Sequence, residues 1–334
     1  MKRILTIGSL WLLILSSVSV MEARDVSRAT ALFLRIPPSA RAWGIGRAYV
    51  ALADDIGSAY YNPAGLVNIK KDEMTLMYAP WLRQFVDDIH YSYFAWGKNM
   101  KDIGHLALHS TILFLGSQER TAPDGTPQGS FSSYEMALAF SYGTNLSEDL
   151  AVGGTIKYIH SHLSDQGTGQ EKGTGVGKSF ALDLGVLYTP DFLDRLRLGA
   201  SLSNLGPDMS YIDAEQADPL PRVLKLGGAY KIINQKYNQL TFTTDLDIDM
   251  VELTGDEMRD KISTIIYCTG AEYWYGNTIG LRGGYYYDKD GDVKAPTFGA
   301  SIIWQRFQFD FGYFKGESGH PLENQMIFSL LFRI

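Results

Sequence analysis

Apolar and polar residues alternate along most of the chain, from about residue 73 to its end. In the segment 240–249, Leu240, Phe242 and Leu246 occupy one set of alternate positions, and Asp245 and Asp247 occupy the other. A period of two places successive side chains on opposite faces of a β-strand. About fourteen such segments, most of them roughly ten residues long, are separated by Gly, Asn, Asp and Pro. The pattern predicts an all-β protein.

Alternation by itself fits either a soluble β-sandwich, with its apolar face inward, or a membrane barrel, with its apolar face toward lipid. Strand length and number favour the barrel, because many segments could cross a membrane at a tilt and their count is even. The connections include short ones at 275–277 and 305–306 and long polar ones at 117–131, 161–177, 205–222 and 250–263. We therefore predict an antiparallel transmembrane β-barrel of about 14 strands.

The first residues predict export. Lys2 and Arg3 precede a mostly apolar stretch from residue 4 to residue 20, and small residues follow it. This is the layout of a secretory signal peptide, here assigned to residues 1–23, and an uncleaved membrane anchor is the alternative. Together with the barrel pattern, a cleaved signal predicts the outer membrane of a Gram-negative bacterium as the location, with outer-membrane lipid as one partner.

Residues 24–70 differ from the rest of the chain, since they are rich in Ala and Gly and alternate little. We expect a turn at 37–39, a helical or irregular stretch from Ala40 to Ala53, and a tight loop at 62–65. The segment is short for an independent domain, and a barrel interior would give its small residues a surface to pack on. The predicted division is a signal peptide at 1–23, an N-terminal plug at 24–70 and a barrel at 71–334.

The amino-acid composition argues against several classes of function. The net charge of -7 argues against nucleic acid as a partner, because nucleic-acid binding needs clustered Lys and Arg. The single cysteine, Cys268, forms no intrachain disulfide and is best interpreted as a small buried residue. No acid–base pair or Ser/His/Asp set can be assembled. We therefore predict a protein that is not an enzyme and that has no cofactor.

Three motifs resemble ligand sites, but their spacing or the predicted structure around them does not fit such a site. The run 173–179 lacks the first glycine of a phosphate-binding loop, and an alternating strand follows it where a helix is required. The run 288–292 has the wrong spacing for a calcium loop, so an acidic hairpin tip is the better interpretation. His160 and His162 share one face at a strand end, where a solvated rim is favoured over a metal. No metal site is predicted.

An acidic row formed by Asp245, Asp247 and Asp249 stands on one strand face. Like charges on one face repel one another unless they are solvated or paired, and on a lipid-facing surface they would be costly. We therefore expect the row to line the lumen or to reach the rim. Simple solvation of the lumen wall is one interpretation, and a surface that attracts cations or a partner is the other.

The run 33–55, followed by 58–66, resembles the N-terminus of the PorV/PorQ family of outer-membrane proteins. Its Asn-Pro-Ala element is also similar to the plug of FadL-type transporters, and Ser-Asn-Leu-Gly at 203–206 resembles a strand end of the PorV/PorQ family. The count of fourteen strands fits a FadL-like barrel. The residues that carry the plug motif are Arg41, Gly44, Gly46, Ala48, Asn62, Pro63, Ala64 and Gly65.

The resemblance implies two functions. The leading one is a barrel associated with type IX protein secretion, which acts through protein–protein contacts with secretion-machinery subunits and secreted cargo. The alternative is a FadL-like channel for long-chain fatty acids or other hydrophobic small molecules. A soluble periplasmic β-protein and an outer-membrane enzyme are the remaining, less favoured classes.

Overall fold

The computed structural model describes residues 29–83, 86–122, 124–165, 174–211, 217–251 and 265–334. Fourteen strands account for most of these residues. Their bounds are β1 Glu73–Pro80, β2 His90–Asn99, β3 His105–Thr121, β4 Pro127–Asn145, β5 Leu150–His162, β6 Val176–Tyr188, β7 Leu196–Leu205, β8 Val223–Asn234, β9 Asn238–Asp249, β10 Ile265–Tyr275, β11 Ile279–Asp288, β12 Val293–Trp304, β13 Phe307–Phe314 and β14 Gln325–Arg333.

Each strand pairs antiparallel with its neighbours in the chain, and β1 pairs with β14, so the sheet closes on itself. At the closure Leu76 lies opposite Leu330, and the backbone N–H of Ile334 donates to the carbonyl oxygen of Asp72 at 2.8 Å. In the closed part of the sheet each strand therefore has a partner on both sides, and no edge is left. The predicted fourteen-stranded antiparallel barrel is confirmed.

The two faces of the wall carry the two halves of the alternating pattern. Phe242, Phe309 and Phe328 point outward and are 44%, 48% and 50% exposed, whereas Asp245 and Asp310 point inward and are buried. An apolar outer face and a polar inner face suit a wall whose outside is lipid.

The connections divide into a short-turn rim and a long-loop rim. The short-turn rim carries, among others, the turns at 235–237, 276–278 and 305–306, and the long-loop rim carries the connections at 163–175, 206–222 and 250–264. The expected loop at 117–131 is wrong, because β3 and β4 continue as a paired hairpin to Thr121 and from Pro127. The alternation ends where exposed polar residues replace lipid-facing ones, while the backbone pairing continues beyond that point.

Short helices lie N-terminal to the barrel strands. They are a 3-10 turn at Leu32–Arg35, the α-helices α1 at Ala40–Gly44 and α2 at Ser58–Tyr61, and a 3-10 turn at Pro63–Asn68. Helix α1 ends early in the expected 40–53 stretch because Gly46 and Arg47 have φ of 68° and 69°, which no right-handed helix accepts. In the described part of the chain, no helix has the length and apolar character to cross a membrane. The predicted signal peptide, 1–23, lies outside the described residues.

Candidate functional site

Residues 40–69, here called the inner segment, lie inside the barrel with nearly every side chain buried. Their backbone rests directly on wall glycines. A Cβ added to Gly270 would lie 2.5 Å from the carbonyl oxygen of Ile45, and one added to Gly153 would lie 2.3 Å from the carbonyl carbon of Pro63. Glycine inside a strand marks such a close backbone approach. Eight strands contribute to this glycine belt, through Gly143, Gly153, Gly185, Gly199, Gly270, Gly284, Gly299 and Gly312.

Two glycines of the sequence motif complete the contact from the inner side. A Cβ on Gly44 would lie 2.9 Å from the Cα of Gly299, so glycine meets glycine here. A Cβ on Gly46 would lie 2.4 Å from the carbonyl oxygen of Thr269, and its positive φ disfavours any larger residue as well. The Gly46 N–H also donates to the Thr297 hydroxyl oxygen at 2.9 Å. The inner segment is thus seated against β10–β12 at backbone distance.

Asn62 fixes the opposite side of the inner segment. Its side-chain amide donates to the carbonyl oxygens of Val50 and Val186, each at 3.0 Å, and its side-chain oxygen accepts from the Ala64 N–H at 3.2 Å. Pro63 follows at a position where a fixed φ suits the first residue of the 3-10 turn. Asn62 therefore joins two parts of the inner segment to strand β6.

The remaining small residues of the motif differ in what they touch. The carbonyl oxygen of Ala48 accepts from the Thr243 hydroxyl on β9 at 3.0 Å. A Cβ on Gly65 would lie 2.6 Å from the Cβ and the carbonyl oxygen of Ala53, so this glycine allows the inner segment to pack on itself. Ala48 is thus part of the contact with the wall, whereas Gly65 is not.

Arg41 is the charged centre of the site. Its guanidinium donates to both carboxylate oxygens of Glu272 on β10, at 2.7 and 2.6 Å, and to Asp54 and Asp55 at 2.6 and 2.9 Å. It also donates to the Tyr49 hydroxyl at 3.2 Å. Burial alone would lower the pKa of Arg41, but the carboxylates of Asp54 and Glu272 raise it well above its ordinary value. A bidentate Arg–carboxylate pair gives both attraction and orientation.

The ionic network continues around the wall. Arg282 on β11 donates to Glu272 at 2.5 Å and lies 3.4 Å from Asp310 on β13. The Gln308 amide donates to Asp310 at 3.0 Å and accepts from Arg333 at 2.9 Å. Arg333 in turn pairs with Glu73 at 3.0 Å, and Glu73 accepts from the backbone N–H of Ile56 at 3.0 Å. The network begins and ends on the inner segment.

The structure places the acidic row on the inner wall and gives each member its own partner. Asp245 accepts from the backbone N–H groups of Tyr49 and Val50 at 2.6 and 2.8 Å. Asp247 pairs with Lys225, and Asp249 pairs with Arg35 at 2.7 Å. The first of the two interpretations, simple solvation of the lumen wall, is therefore wrong. The ion pairs of Asp247 and Asp249 and the backbone donors at Asp245 offset the repulsion that the sequence suggested.

An aromatic cluster lies on the long-loop side of the inner segment. The Arg47 guanidinium lies over the rings of Trp43, Tyr286 and Phe314, at 3.9, 4.4 and 5.2 Å from their centroids. Trp81 packs against Trp43, with 6.1 Å between the two ring centroids. Ring faces attract cations, so the cluster holds a half-buried arginine without a carboxylate contact among the described residues.

Sequence reasoning missed the wall side of the site. All eight glycines of the belt stand within strands, and the alternating pattern alone gave no sign of what they contact. Glu272, Arg282 and Asp310 were also missed, and their signal was a charged residue in the interior of an otherwise apolar strand. In both cases the residue type contradicted a simple strand pattern, and that contradiction marked the contact.

The other motifs have no role at this site. Cys268 is a free, buried thiol, and His162 pairs with Asp165 at 2.9 Å. Within the described ranges, no group of three or more His, Cys, Asp or Glu residues could hold a metal. The start of the run 173–179 lies outside the described residues, and β6 occupies its end, from Val176.

Several solved structures share this architecture. The CymD monoaromatic hydrocarbon channel aligns with a TM-score of 0.53 at 13% identity, covering 90% of this chain and 98% of its own. A Pseudomonas aeruginosa FadL homologue aligns with a TM-score of 0.52 at 12% identity, covering 88% and 97%. The Pseudomonas putida toluene transporter TodX aligns with a TM-score of 0.51 at 12% identity, covering 94% and 98%. At these identities the likeness shows the fold.

Family membership comes from the sequence itself. The family described as Type IX secretion system protein PorV matches residues 19–254, well over half of the chain. No curated relative matches the chain. Fold and family together make this an outer-membrane β-barrel. The chain belongs to the PorV family of type IX secretion system proteins.

Proposed function

We propose that the inner segment is a plug that keeps the barrel closed, and that the protein serves type IX secretion by contact with other proteins at its long-loop rim. The observation that carries the proposal is the glycine belt. Plug backbone abuts wall backbone on eight strands. A wall shaped to receive a plug so closely favours a permanently filled barrel over an open pore.

The first residues and the two rims indicate the location of the protein and its orientation in the membrane. Residues 1–23 have the layout of a signal peptide, and we propose that it is removed during export. Outer-membrane barrels carry short turns on the periplasmic side and long loops on the cell surface. The long-loop rim therefore faces outward, where secreted proteins arrive for attachment.

The extended β3–β4 hairpin is the best candidate for a protein contact. Its outer part, from Ser117 to Ser132, is mostly polar and exposed and continues beyond the lipid-facing alternation. Strand pairing holds it as a ladder, so it presents a shaped surface. A rigid surface binds a partner at a lower entropic cost than a loop that must become ordered.

The secretion role is tested in a strain that lacks the gene. The strain is complemented either with the unchanged chain or with a variant in which Asn-Gly replaces residues 118–131, which shortens the hairpin. We expect the shortened variant to assemble, as shown by a heat-dependent gel shift, and to leave cargo proteins with a C-terminal secretion signal in the periplasm. Normal surface cargo in the strain without the gene would overturn the secretion role. Normal cargo with the shortened hairpin alone would overturn only the hairpin contact.

A second candidate is a channel for hydrophobic compounds. The observation that favours it is a hollow of about 460 Å³ on the lipid-facing wall near the β1–β14 closure. Its lining is mostly apolar and includes Leu76, Tyr78, Phe94, Ile112, Phe309 and Phe328. Uptake of a labelled long-chain fatty acid in the same strains distinguishes the two functions. The channel predicts a loss of uptake in the strain without the gene, and the secretion role predicts unchanged uptake.

A further inference from the structure

A cavity of about 230 Å³ lies between the plug and the short-turn rim. The plug contributes Leu52 and Asp54 to its lining, and the turn between β6 and β7 contributes Thr189 and Arg195. Inward-facing ends of strands complete the wall, with Lys231 on β8 among them. The cavity is therefore a mouth at the end of the barrel opposite to the proposed secretion contact.

The mouth is cationic in a chain whose net charge is -7. Five cationic side chains line it against three carboxylates. Arg41 and Arg333 are already paired with Glu272 and Glu73. The other three cations, Arg195, Arg197 and Lys231, form no ion pair with any residue that the structure describes.

These three cations stand together on one side of the mouth. Arg197 lies opposite Ala229 in the β7–β8 pairing, and the Lys231 N–H donates to the carbonyl oxygen of Arg195 at 3.0 Å. One guanidinium nitrogen of Arg197 donates to the Leu52 carbonyl oxygen at 3.0 Å, which holds this side chain in place and leaves its other donors for a ligand. A fixed arginine beside two further cations is a preformed site for carboxylates.

We propose that this mouth binds an acidic peptide segment of a partner protein, whose carboxylates pair with Arg195, Arg197 and Lys231. The volume admits one or two side chains and excludes a folded domain. Neutral polar groups of Thr189, Gln239 and Thr241 line the same cavity and suit the peptide backbone. This binding is separate from the proposed secretion contact, because the mouth opens on the periplasmic side and the secretion contact lies on the opposite rim.

Binding is measured on the purified barrel in detergent at low salt, with a fluorescein-labelled, end-capped peptide of alternating Glu and Ala. Wild type binds the peptide, and salt weakens the binding because exposed charges are screened. The double variant Arg195→Gln/Lys231→Gln binds at least about tenfold more weakly, since two charge-assisted contacts are lost. A heat-dependent gel shift shows that each variant is folded.

The matched control is Lys236→Gln. Lys236 lies in the β8–β9 turn on the same rim, outside the cavity lining, with its ammonium 5.3 Å from the centroid of the Tyr237 ring. This variant binds the peptide as wild type does. Four results overturn the proposal. They are no binding to wild type, equal binding of the double variant, equal binding of a peptide with Gln in place of Glu, and displacement by equimolar inorganic phosphate, which would indicate a free-anion site.

Discussion

The inner segment, which we propose to be a plug, meets the wall in two chemically different ways. On the charged flank, β10–β13, Arg41 and Arg282 share Glu272, and Arg282 reaches on to Asp310. On the neutral flank, β4–β6, the plug touches glycines and is held by the uncharged amide of Asn62. The glycine belt runs through both flanks. Close approach is thus common to both flanks, whereas in the described part of the chain the ion pair between this segment and the wall, Arg41–Glu272, lies on the charged flank.

The difference separates two tasks. The glycines determine how closely the plug can approach the wall, but they do not determine its position along or around the wall. Directed ionic contacts do determine that position, because a bidentate pair is satisfied in one geometry only. A buried charge left without its partner is costly, so the charged flank penalises displacement more steeply than the neutral flank does.

The largest effect is expected from Glu272→Ala on the charged flank. Two buried guanidinium groups lose a shared partner, which should lower the free energy of unfolding by about 3–5 kcal/mol. The matched change, Glu135→Ala, removes a buried wall carboxylate that accepts only from Ser161 among the described side chains. It should cost about 1 kcal/mol. Urea unfolding in detergent measures both, and equal losses would remove the distinction between the flanks.

The second effect concerns the glycine belt on both flanks. A Cβ on Gly284 would lie 2.4 Å from the Gly46 nitrogen, whereas one on the adjacent Gly283 would meet nothing within 4 Å. On β5, Gly153 and Gly154 form the same kind of pair, at 2.3 Å and 3.6 Å. We expect Gly284→Ala and Gly153→Ala each to destabilise by about 1–3 kcal/mol, and Gly283→Ala and Gly154→Ala to be nearly neutral. Equal effects within either pair would contradict the close approach.

A third, smaller effect is expected from Asn62→Ala on the neutral flank. The change removes the contacts to Val50, Val186 and Ala64 and should cost about 1–2 kcal/mol in unfolding free energy. Asn68→Ala is the control, because the Asn68 amide donates within the plug, to the Ala53 carbonyl oxygen at 2.9 Å. A larger loss from Asn68→Ala would show that the wall contact of Asn62 contributes little.

The smallest effect is expected from Asp54→Asn. Asp54 is one of three carboxylates on Arg41, and its side chain is 38% exposed, so solvent screens the interaction. The expected loss is about 0–1 kcal/mol, against a larger loss for Asp55→Asn, whose carboxylate is buried. The same unfolding measurement ranks the two, and the reverse order would show that exposure does not govern this pair.

Much of the barrel could be predicted from the sequence, because a strand with lipid on one side must alternate. The segment 240–249 shows this, with Phe242 outward and Asp245 inward as expected. The hairpin beyond Gly116 could not be predicted, since polar residues on both faces carry no hydropathy signal while their backbones still pair.

The site was predictable only in part. Arg41, Gly46 and Asn62 came from a resemblance, which says nothing of what each residue touches. The partners lie far away in sequence: Glu272 is 231 positions from Arg41, and Val186 is 124 positions from Asn62. A pattern within one strand cannot pair such residues, because the pairing depends on how the closed barrel places the plug.

The central claim is that the plug closes the barrel, and ion conductance across a planar lipid bilayer tests it most directly. The comparison is between the wild-type protein and a variant that lacks residues 33–65, each shown to be folded by its heat-dependent gel shift. We predict that wild type leaves the bilayer without stable conductance steps, and that the deletion variant gives such steps because the polar lumen is then open. Steady conductance of the same size from both proteins would contradict the account.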